Sequence, residues 1–380
     1  MKKNILRIIK IFCLALVLAL SIGFLQEYVL CHADHNRQRL KGFYDEESDS
    51  LDVVFMGASE VYSDFAPGHA YNYKGITSYL FATQSNSILN YKAQLKNILS
   101  KQDPKLIVIE LNGAVYGDKE ETTKEENLRN YADNVPLDMT KLQWISENVQ
   151  KDQQEYLFPI IKYHSVWKDI PDNMLYQSTI ANNKIRGYNY LKGILNETFV
   201  FKSPQRSMNS SLQKLGDKKL PLDPLEEEGL RDLLQYCKDE KLDNVLFVRF
   251  PHIVVTRTYE RFERSNTVGD IVAEYGYDYL NLERDVAMTG IEDDKDFYNL
   301  DHLNIYGQKK FTEYLTDYLI SNYGVTAREL SDSQKSDWHL CGEYYNAYYK
   351  YSESLINKGD RRELSEDNEL IDTLKDYLYV

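Results

Sequence analysis

The chain has 380 residues, of which 43% are hydrophobic and 27% are charged, a composition typical of a globular protein with a substantial core. Its formal net charge of −14 argues against a nucleic-acid surface, because binding to phosphates requires a basic field. One large domain is the simplest organisation, and a neutral substrate or a locally basic pocket is compatible with this charge.

The first 30 residues have the pattern of a signal sequence or a signal anchor. Lys2, Lys3, Arg7 and Lys10 precede an apolar run at 11–25. No small-residue cleavage motif follows this run, which favours an uncleaved transmembrane anchor over a cleaved signal peptide. The basic residues on its amino side then place the N terminus in the cytoplasm and the rest of the chain outside the cell membrane.

The sequence predicts neither a metal site nor a cofactor. The four cysteines, at positions 13, 31, 237 and 341, lack the spacing of a disulfide framework or a zinc site. No H-x-x-x-H or comparable ligand motif is present either.

Short apolar runs alternate with amphipathic stretches along the chain. Buried parallel strands are short, continuous and rich in β-branched or aromatic residues. By this criterion the predicted strands are 52–56, 77–82, 106–111, 244–250 and 277–282. Apolar residues at helical spacing predict helices at 86–100, 226–239, 259–275 and 308–322. The alternation predicts an α/β core with a parallel sheet.

This pattern divides the chain into an anchor at 1–30, a juxtamembrane linker at 31–50, an α/β domain at 51–325 and a C-terminal helical appendix at 326–380. A largely helical insertion at about 117–225 interrupts the α/β domain, since it is too long for a plain crossover. It is interpreted either as a lid or substrate wall beside the strand ends, or as a packing appendage. In the appendix, "EYYNAYYKYSESL" and "DRRELSEDNELIDTLKDYL" predict two helices.

Two stretches carry residues suited to nucleophilic catalysis. In "LDVVFMGASEVYSDF", the first strand ends at a glycine and releases Ser59 beyond its carboxyl edge, where ligands bind in open parallel sheets. In "DFYNLDHLNIYG", His302 lies near Asp296, Asn299 and Asp301 and just before a helix. Of the seven histidines, only His302 combines a late loop, flanking acids and a following helix.

A serine hydroxyl is a weak nucleophile until a base removes its proton, and the base works best when a third group fixes its tautomer. The residues alone leave two interpretations of Ser59 open. It is either a nucleophile activated by His302, or a small polar residue that lets a strand turn.

The two stretches resemble the first and last sequence blocks of the SGNH/GDSL hydrolase superfamily. "GASE" stands where the family has Gly-Asp-Ser, and "NLDHLNIYG" stands where it has Asp-x-x-His. The anchor, "ATQSNSILNY" at 82–91 and "HLNIYG" at 302–307 are similar to the membrane-anchored branch that includes the DltD-like teichoic-acid D-alanylation proteins and the alginate acetylation proteins. The resemblance covers roughly 50–115 and 225–325, and it implies a three-layer α/β/α, flavodoxin-like fold.

Carried over by residue, the resemblance implies that Ser59 is the nucleophile and His302 the general base. It implies an oxyanion hole formed by the Ser59 backbone N–H, with Thr83, Gln84 and Asn112 as further donors.

The third triad position holds Asn299 instead of the family's aspartate. Three alternatives are therefore open. Asn299 orients the histidine, Asp301 or Asp296 replaces the missing aspartate, or the protein is a poorly active member of the family.

These features predict an extracytoplasmic, membrane-anchored serine esterase or O-acyltransferase that acts through an acyl-enzyme. The resemblance implies a cell-envelope polysaccharide or teichoic-acid-like polymer as substrate and a membrane-bound O-acyltransferase as partner. One alternative is a catalytically silent scaffold that binds or helps to assemble surface glycans. A third interpretation is a hydrolase of small secreted esters.

Overall fold

A sheet of parallel strands forms the centre of the protein. The computed structural model describes residues 2–28, 34–169, 189–203, 215–284 and 286–378. The five sheet strands are β1 (Val53–Gly57), β2 (Ser78–Ala82), β3 (Leu106–Glu110), β5 (Val245–Arg249) and β6 (Tyr279–Asn281). Their order is β2-β1-β3-β5-β6, and every neighbouring pair is parallel. The predicted α/β class with a parallel sheet is confirmed.

A short antiparallel ribbon pairs β4 (Asn196–Glu197) with β7 (Glu363–Leu364). The described α-helices are α1 (Lys2–Tyr28), α2 (His35–Asp45), α3 (Ser59–Asp64), α4 (Pro67–Lys74), α5 (Ile88–Lys101), α6 (Lys119–Thr122), α7 (Glu125–Ala132), α8 (Met139–Asn148), α9 (Gln153–Leu157), α10 (Pro159–Lys162), α11 (Pro224–Asp239), α12 (Tyr259–Glu274), α13 (Ile305–Tyr323), α14 (Asp332–Lys358) and α15 (Asn368–Leu378). The four predicted core helices correspond to α5, α11, α12 and α13.

Burial explains why the strands read as continuous apolar runs. Every residue of β1, β2, β3 and β5 is buried, as expected for parallel strands covered on both faces. The edge strand β6 is only half-buried. The sheet strands thus form the centre of one hydrophobic core.

The direction of the chain across the sheet locates the ligand-binding edge. From β1 the chain moves outward to β2, and it then crosses back to β3 on the other side of β1. Right-handed crossovers place helices on opposite faces when the direction reverses. In agreement, α5 packs against α11, whereas α13 packs against α3 and α4. The reversal lies between the carboxyl ends of β1 and β3, and sheets of this kind bind ligands at such a point.

The predicted linker at 31–50 is in part a packed helix. Residues 35–45 form α2, which buries Arg39, Leu40 and Phe43. The Arg39 guanidinium donates to the carbonyl of Gly193 at 2.8 Å and lies over the ring of Tyr62. The run "HNRQRLKGFYD" is polar overall, so its sequence did not indicate this burial.

The helices described within the insertion are built into the same body. They pack on α1, α2, α5 and α11, and Trp144 is buried beside the Tyr131 ring. Residues 170–188 and 204–214 of the insertion lie outside the described part of the chain.

The C-terminal appendix packs on α4 through α14. Its last helix begins at Asn368 rather than near residue 360 as predicted. The preceding Glu363–Leu364 pairs with β4 instead, and the Glu366 carboxylate accepts the backbone N–H groups of Tyr190 and Leu191. Tertiary pairing therefore overrides the helical pattern at 360–367.

Helix α1 contains the stretch Lys3–Gln26, which is long and apolar enough to cross a membrane or to serve as a signal sequence. None of its most apolar 18 residues is buried within the protein.

Candidate active site

A sharp corner after β1 exposes Ser59. Gly57 has a φ of +153°, and a Cβ there would lie 2.8 Å from the Glu110 Cβ on β3. Only glycine therefore fits where the end of β1 contacts β3. Ala58 is the N-cap residue of α3, and Ser59 is the first residue of that helix. The corner brings the hydroxyl and the N-terminal N–H groups of α3 to the carboxyl edge of the sheet.

Replacing Gly57 with alanine is expected to lower the free energy of unfolding by about 3 kcal/mol, from overpacking and backbone strain together. Urea unfolding of the full chain in detergent measures this change. The matched control is Gly324→Ala, since Gly324 also has a positive φ of 63° but an added Cβ there meets nothing within 4 Å. Its cost should stay near 1 kcal/mol. Equal losses at the two positions would contradict the packing argument.

A closed loop before α13 carries the candidate base. Phe297 and Leu303 form an isolated antiparallel bridge, and the Tyr298 N–H donates to the carbonyl of His302 at 3.0 Å. Asn304 caps α13 through its side-chain oxygen, and its amide nitrogen donates to the carbonyls of Lys295, Phe297 and Phe199. The loop at 297–303 is thus fixed at both ends.

Buried polar groups fasten this loop to α3. The Leu303 N–H donates to the Asp64 carboxylate at 2.8 Å. The Asn196 amide donates to the carbonyls of both Ser63 and Leu303, at 2.9 and 3.0 Å. Burial raises the pKa of Asp64 well above its usual value, against the opposing hydrogen bond from Leu303. Sequence reasoning did not identify Asn196, because it lies in the insertion, more than 100 residues from either partner.

The two fixed segments bring three of the predicted residues into one hydrogen-bonded chain. The Ser59 Oγ lies 2.7 Å from the His302 Nε2, and the His302 Nδ1 lies 3.0 Å from the Asn299 Oδ1. All three side chains are half-buried. The ring of Tyr298 stacks on His302 with an interplanar angle of 7°. This is the arrangement of a nucleophile, a base and an orienting group.

Hydrogen bonds to Asn299 determine which ring nitrogen of His302 carries the hydrogen. The Asn299 Oδ1 accepts the backbone N–H groups of Asp301 and His302, at 2.8 and 2.9 Å. A flipped amide would point its own hydrogens at these two donors, so the oxygen must face them and the nearby imidazole. The Nδ1 of His302 therefore carries the hydrogen, which leaves Nε2 as an acceptor for the Ser59 hydroxyl.

The two aspartates considered as substitutes are engaged elsewhere. The Asp301 carboxylate pairs with Arg261 at 3.3 Å. Asp296 is buried and accepts from the Lys310 ammonium at 2.6 Å and from the Glu292 N–H at 2.7 Å. Among Asn299, Asp301 and Asp296 as the group that orients His302, the geometry supports Asn299.

Two of the predicted oxyanion donors, Thr83 and Gln84, already use their backbone N–H groups within the protein. Thr83 is fully buried, and its N–H points to the carbonyl of Gly57 at 3.4 Å. The N–H of Gln84 donates to the Asn36 side chain at 2.9 Å. Both backbone N–H groups are therefore engaged within the protein, whereas the Thr83 hydroxyl has no hydrogen-bond partner among the described residues.

The side-chain amide of Asn112 has a fixed orientation. It follows β3 at the same edge of the sheet as Ser59 and begins a short 3₁₀ turn, Asn112–Ala114. Its side-chain oxygen accepts from Arg249 at 2.6 Å. This bond fixes the amide orientation, so that the NH₂ group points away from Arg249.

A cluster of buried charged groups lies behind Ser59, and sequence reasoning missed it. It comprises Glu60, Glu110, Arg249, His252 and Glu283, each at most 2% exposed. Arg249 contacts Glu110 at 3.4 Å and Glu283 at 3.3 Å. In the sequence, the signal for this cluster was a charged residue at the end of each of the otherwise apolar strands β3 and β5. We call these five residues the buried charge cluster.

The two carboxyls of this cluster nearest to the β1 corner have opposite pKa shifts. Burial raises the pKa of Glu60, but the hydrogen bond and charge of His252 outweigh it and lower the value to about 2. Burial and the charge of Glu60 raise the pKa of Glu110 to about 8, although Arg249 opposes the shift. At neutral pH, Glu60 is thus an anion and Glu110 is mostly protonated.

Burial also lowers the pKa of His302 below its ordinary value, while the charges of Glu60 and Asp301 oppose this shift. The neutral imidazole is the form that accepts a proton from Ser59. A lowered pKa therefore preserves the basic form of His302 into mildly acidic solution.

Comparisons with protein-family models and with curated proteins found no match. Function must therefore be inferred from the site itself. Among the described residues, no group of three or more His, Cys, Asp or Glu side chains is arranged to hold a metal ion.

Proposed function

We propose that the protein is a serine esterase or O-acyltransferase that works through an acyl-enzyme on Ser59. The observation that carries this proposal is the hydrogen-bonded chain Ser59, His302 and Asn299, in which Nε2 of His302 is held as the proton acceptor. A nucleophile, a base and an orienting group in this order constitute the machinery of acyl transfer.

The chemistry proceeds in two balanced steps. The Ser59 Oγ attacks the carbonyl carbon of an ester while its proton passes to Nε2 of His302. Collapse of the tetrahedral intermediate breaks the ester C–O bond, and the leaving alcohol takes the proton from His302. Water or an acceptor hydroxyl then attacks the acyl-serine, with His302 accepting and returning a proton in the same way.

The oxyanion of each intermediate needs donors at the carboxyl edge of the sheet. The backbone N–H of Ser59 lies in the first turn of α3, where such groups have no partner within the helix. The Asn112 amide, oriented by Arg249, is the second donor in this proposal. Each donor of this kind typically contributes about 10²–10³ in rate.

The fold supports an SGNH-like assignment within this proposal. Counting only the main sheet, the strand order is 2-1-3-4-5, the order of flavodoxin-like sheets. Ser59 follows the first strand and His302 precedes the last helix of the α/β core, as the sequence resemblance implies. A cell-envelope polysaccharide or teichoic-acid-like polymer is the proposed acceptor, and a membrane-bound O-acyltransferase is the proposed donor partner.

We place the catalytic domain outside the cell membrane, with α1 as its anchor. Basic residues lie on the amino side of the span, which favours a cytoplasmic N terminus. Helix α10 contacts α1, and its N-cap residue Phe158 and its Ile161 are exposed to solvent. Exposed apolar side chains next to a membrane span suit the interfacial region of a bilayer.

A fluorophosphonate probe tests the proposal directly. The full chain in detergent is expected to react with the probe, and mass spectrometry of the labelled peptides should locate the adduct on Ser59. The Ser59→Ala variant should not react. A matched control is Ser333→Ala, which removes an exposed hydroxyl on α14 and should label like the unmodified protein.

Continued labelling of Ser59→Ala protein would show that another residue is the nucleophile. A wild-type chain that neither labels nor hydrolyses p-nitrophenyl acetate would favour the silent glycan-binding scaffold instead.

A further inference from the structure

The neutral side chain at position 299 leaves one catalytic requirement unmet. Asn299 orients His302, but it carries no charge. When Ser59 is deprotonated, His302 becomes an imidazolium inside a partly buried site, and an uncompensated buried charge is costly. In the serine-protease template, the third residue both orients the base and stabilises its charged form. A second group must therefore stabilise the protonated His302.

We propose that the Glu60 carboxylate supplies this charge, so that orientation and charge compensation are divided between Asn299 and Glu60. This inference rests on the proposed function. Glu60 acts through His302 and Ser59, and it is therefore a positioning residue rather than a catalytic one.

Glu60 lies on the reacting side of the imidazole. Its Oε2 is 3.5 Å from the Ser59 Oγ, the atom that lies 2.7 Å from the His302 Nε2. The carboxylate therefore lies beside the proton-transfer path, whereas Asn299 contacts the opposite nitrogen. Glu60 is 1% exposed, so water screens its charge only weakly.

Hydrogen bonds hold Glu60 in its ionised form. Its Oε1 accepts from the Nε2 of His252 at 3.2 Å, and the Nδ1 of His252 faces the carbonyl of Phe250 at 2.7 Å. Both ring nitrogens of His252 thus face hydrogen-bond acceptors, which hold the ring in place beside Glu60. The lowered pKa of Glu60 agrees with this pairing. Glu60 also lies in the first turn of α3, where a negative charge is favourable.

The other charged and titratable groups around this pair do not replace Glu60. Arg249 and Glu283 compensate each other within the buried charge cluster, and Glu110 is mostly protonated at neutral pH because its pKa is raised to about 8. His252, the partner of Glu60, acts on His302 in the opposite sense, since its charge lowers the pKa of His302. The remaining groups that act electrostatically on Glu60 or His302, or on which Glu60 acts, are Tyr62, Asp64, Tyr91, Tyr116, Glu197 and Asp301. Asp301 is paired with Arg261.

The test compares Glu60→Gln with the matched variant Glu110→Gln in the full-length protein. Glutamine at position 60 retains an oxygen for His252 but removes the charge. Glu110→Gln changes the same buried cluster with little loss of charge at neutral pH. The pKa of His302 is read by ¹⁵N-histidine NMR, with His302→Ala protein for assignment, and turnover is measured with p-nitrophenyl acetate.

Glu60→Gln is expected to lower the pKa of His302 by about one unit and kcat by about tenfold or more. Glu110→Gln should leave the pKa of His302 within about 0.3 units of the wild-type value, a change too small to represent a lost neighbouring charge. A merely structural role of Glu60 would not move the pKa of His302 in this selective way.

A second variant keeps the inference testable if Glu60→Gln does not fold. If Glu60 already supplies the charge, Asn299→Asp in the otherwise native chain should raise kcat by less than about threefold. If Glu60→Gln protein does fold, adding Asn299→Asp to it should raise kcat by about tenfold. The aspartate then supplies the charge that position 60 has lost, so the effects of the two substitutions are not additive.

The outcomes distinguish a failure of this inference from a failure of the proposed function. If wild-type protein labels at Ser59 but Glu60→Gln leaves both the pKa of His302 and kcat unchanged, the inference is wrong and the proposed function stands. A gain of tenfold or more from Asn299→Asp alone would also overturn the inference. If the wild-type protein neither labels nor turns over ester, the proposed function fails and the inference fails with it.

Discussion

Replacing His302 with alanine is expected to lower kcat for ester hydrolysis by about 10⁴-fold or more. The imidazole is the group that bonds the Ser59 hydroxyl at 2.7 Å, and removal of a catalytic histidine in comparable triads has an effect of this size. The residual rate reflects only the oxyanion donors and substrate binding. Turnover of p-nitrophenyl acetate and the rate of fluorophosphonate labelling measure the loss.

His339→Ala provides the matched control for this prediction. His339 is an exposed histidine on α14 that pairs with Glu343 at 3.4 Å, so its removal should leave kcat within about twofold of the wild-type value. Thermal unfolding should show that both variants remain folded. If His302→Ala protein labels at the wild-type rate, His302 is not the base.

Removing the side chain of Asn299 is expected to have the second-largest effect. In the protease template, an asparagine that favours the wrong histidine tautomer lowers kcat about 10⁴-fold. Here, two backbone N–H donors fix the amide oxygen toward His302, so the native asparagine selects the productive tautomer. Asn299→Ala loses that selection and should lower kcat by about 10³–10⁴-fold on the same scale.

The pH profile distinguishes orientation from charge at this position. Asn299→Asp retains the acceptor and adds a negative charge, which favours the imidazolium. Because Glu60 already supplies a compensating charge in the proposed arrangement, the pKa of His302 should rise by less than about half a unit. Because catalysis needs the neutral imidazole, the acidic limb of the kcat/KM profile should move to higher pH by that amount. In the native chain, that limb should lie below pH 6.5, since burial lowers the pKa of His302.

Asp301→Asn is the control for the competing assignment. The Asp301 carboxylate pairs with Arg261, so its neutralisation should change kcat by less than about threefold. If Asp301→Asn lowers kcat as much as Asn299→Ala does, then Asp301 orients His302, contrary to the geometry.

The sequence determined the elements of the core because their signals are local. Each buried strand reads as a continuous apolar run, and each core helix carries an apolar face at helical spacing. The glycine before Ala58 and Ser59 marked the end of β1, and "DHLN" before the last core helix marked the loop that holds His302. Their proximity was implied by the resemblance of the two stretches to the SGNH/GDSL sequence blocks, and the Ser59 Oγ does lie 2.7 Å from the His302 Nε2.

Tertiary structure decided what depends on partners far apart in the chain. The orientation of Asn299, the ionisation of Glu60 and the engagement of Asp301 by Arg261 each depend on which donors, charges and degree of burial surround the group. None of these properties follows a repeating pattern in the sequence, so the sequence could not predict them. The helix at 35–45 is polar in composition, yet it packs because Arg39 finds a carbonyl and a ring in distant segments. The sequence therefore determined where a site forms, whereas the fold determined which tautomer and which charges it contains.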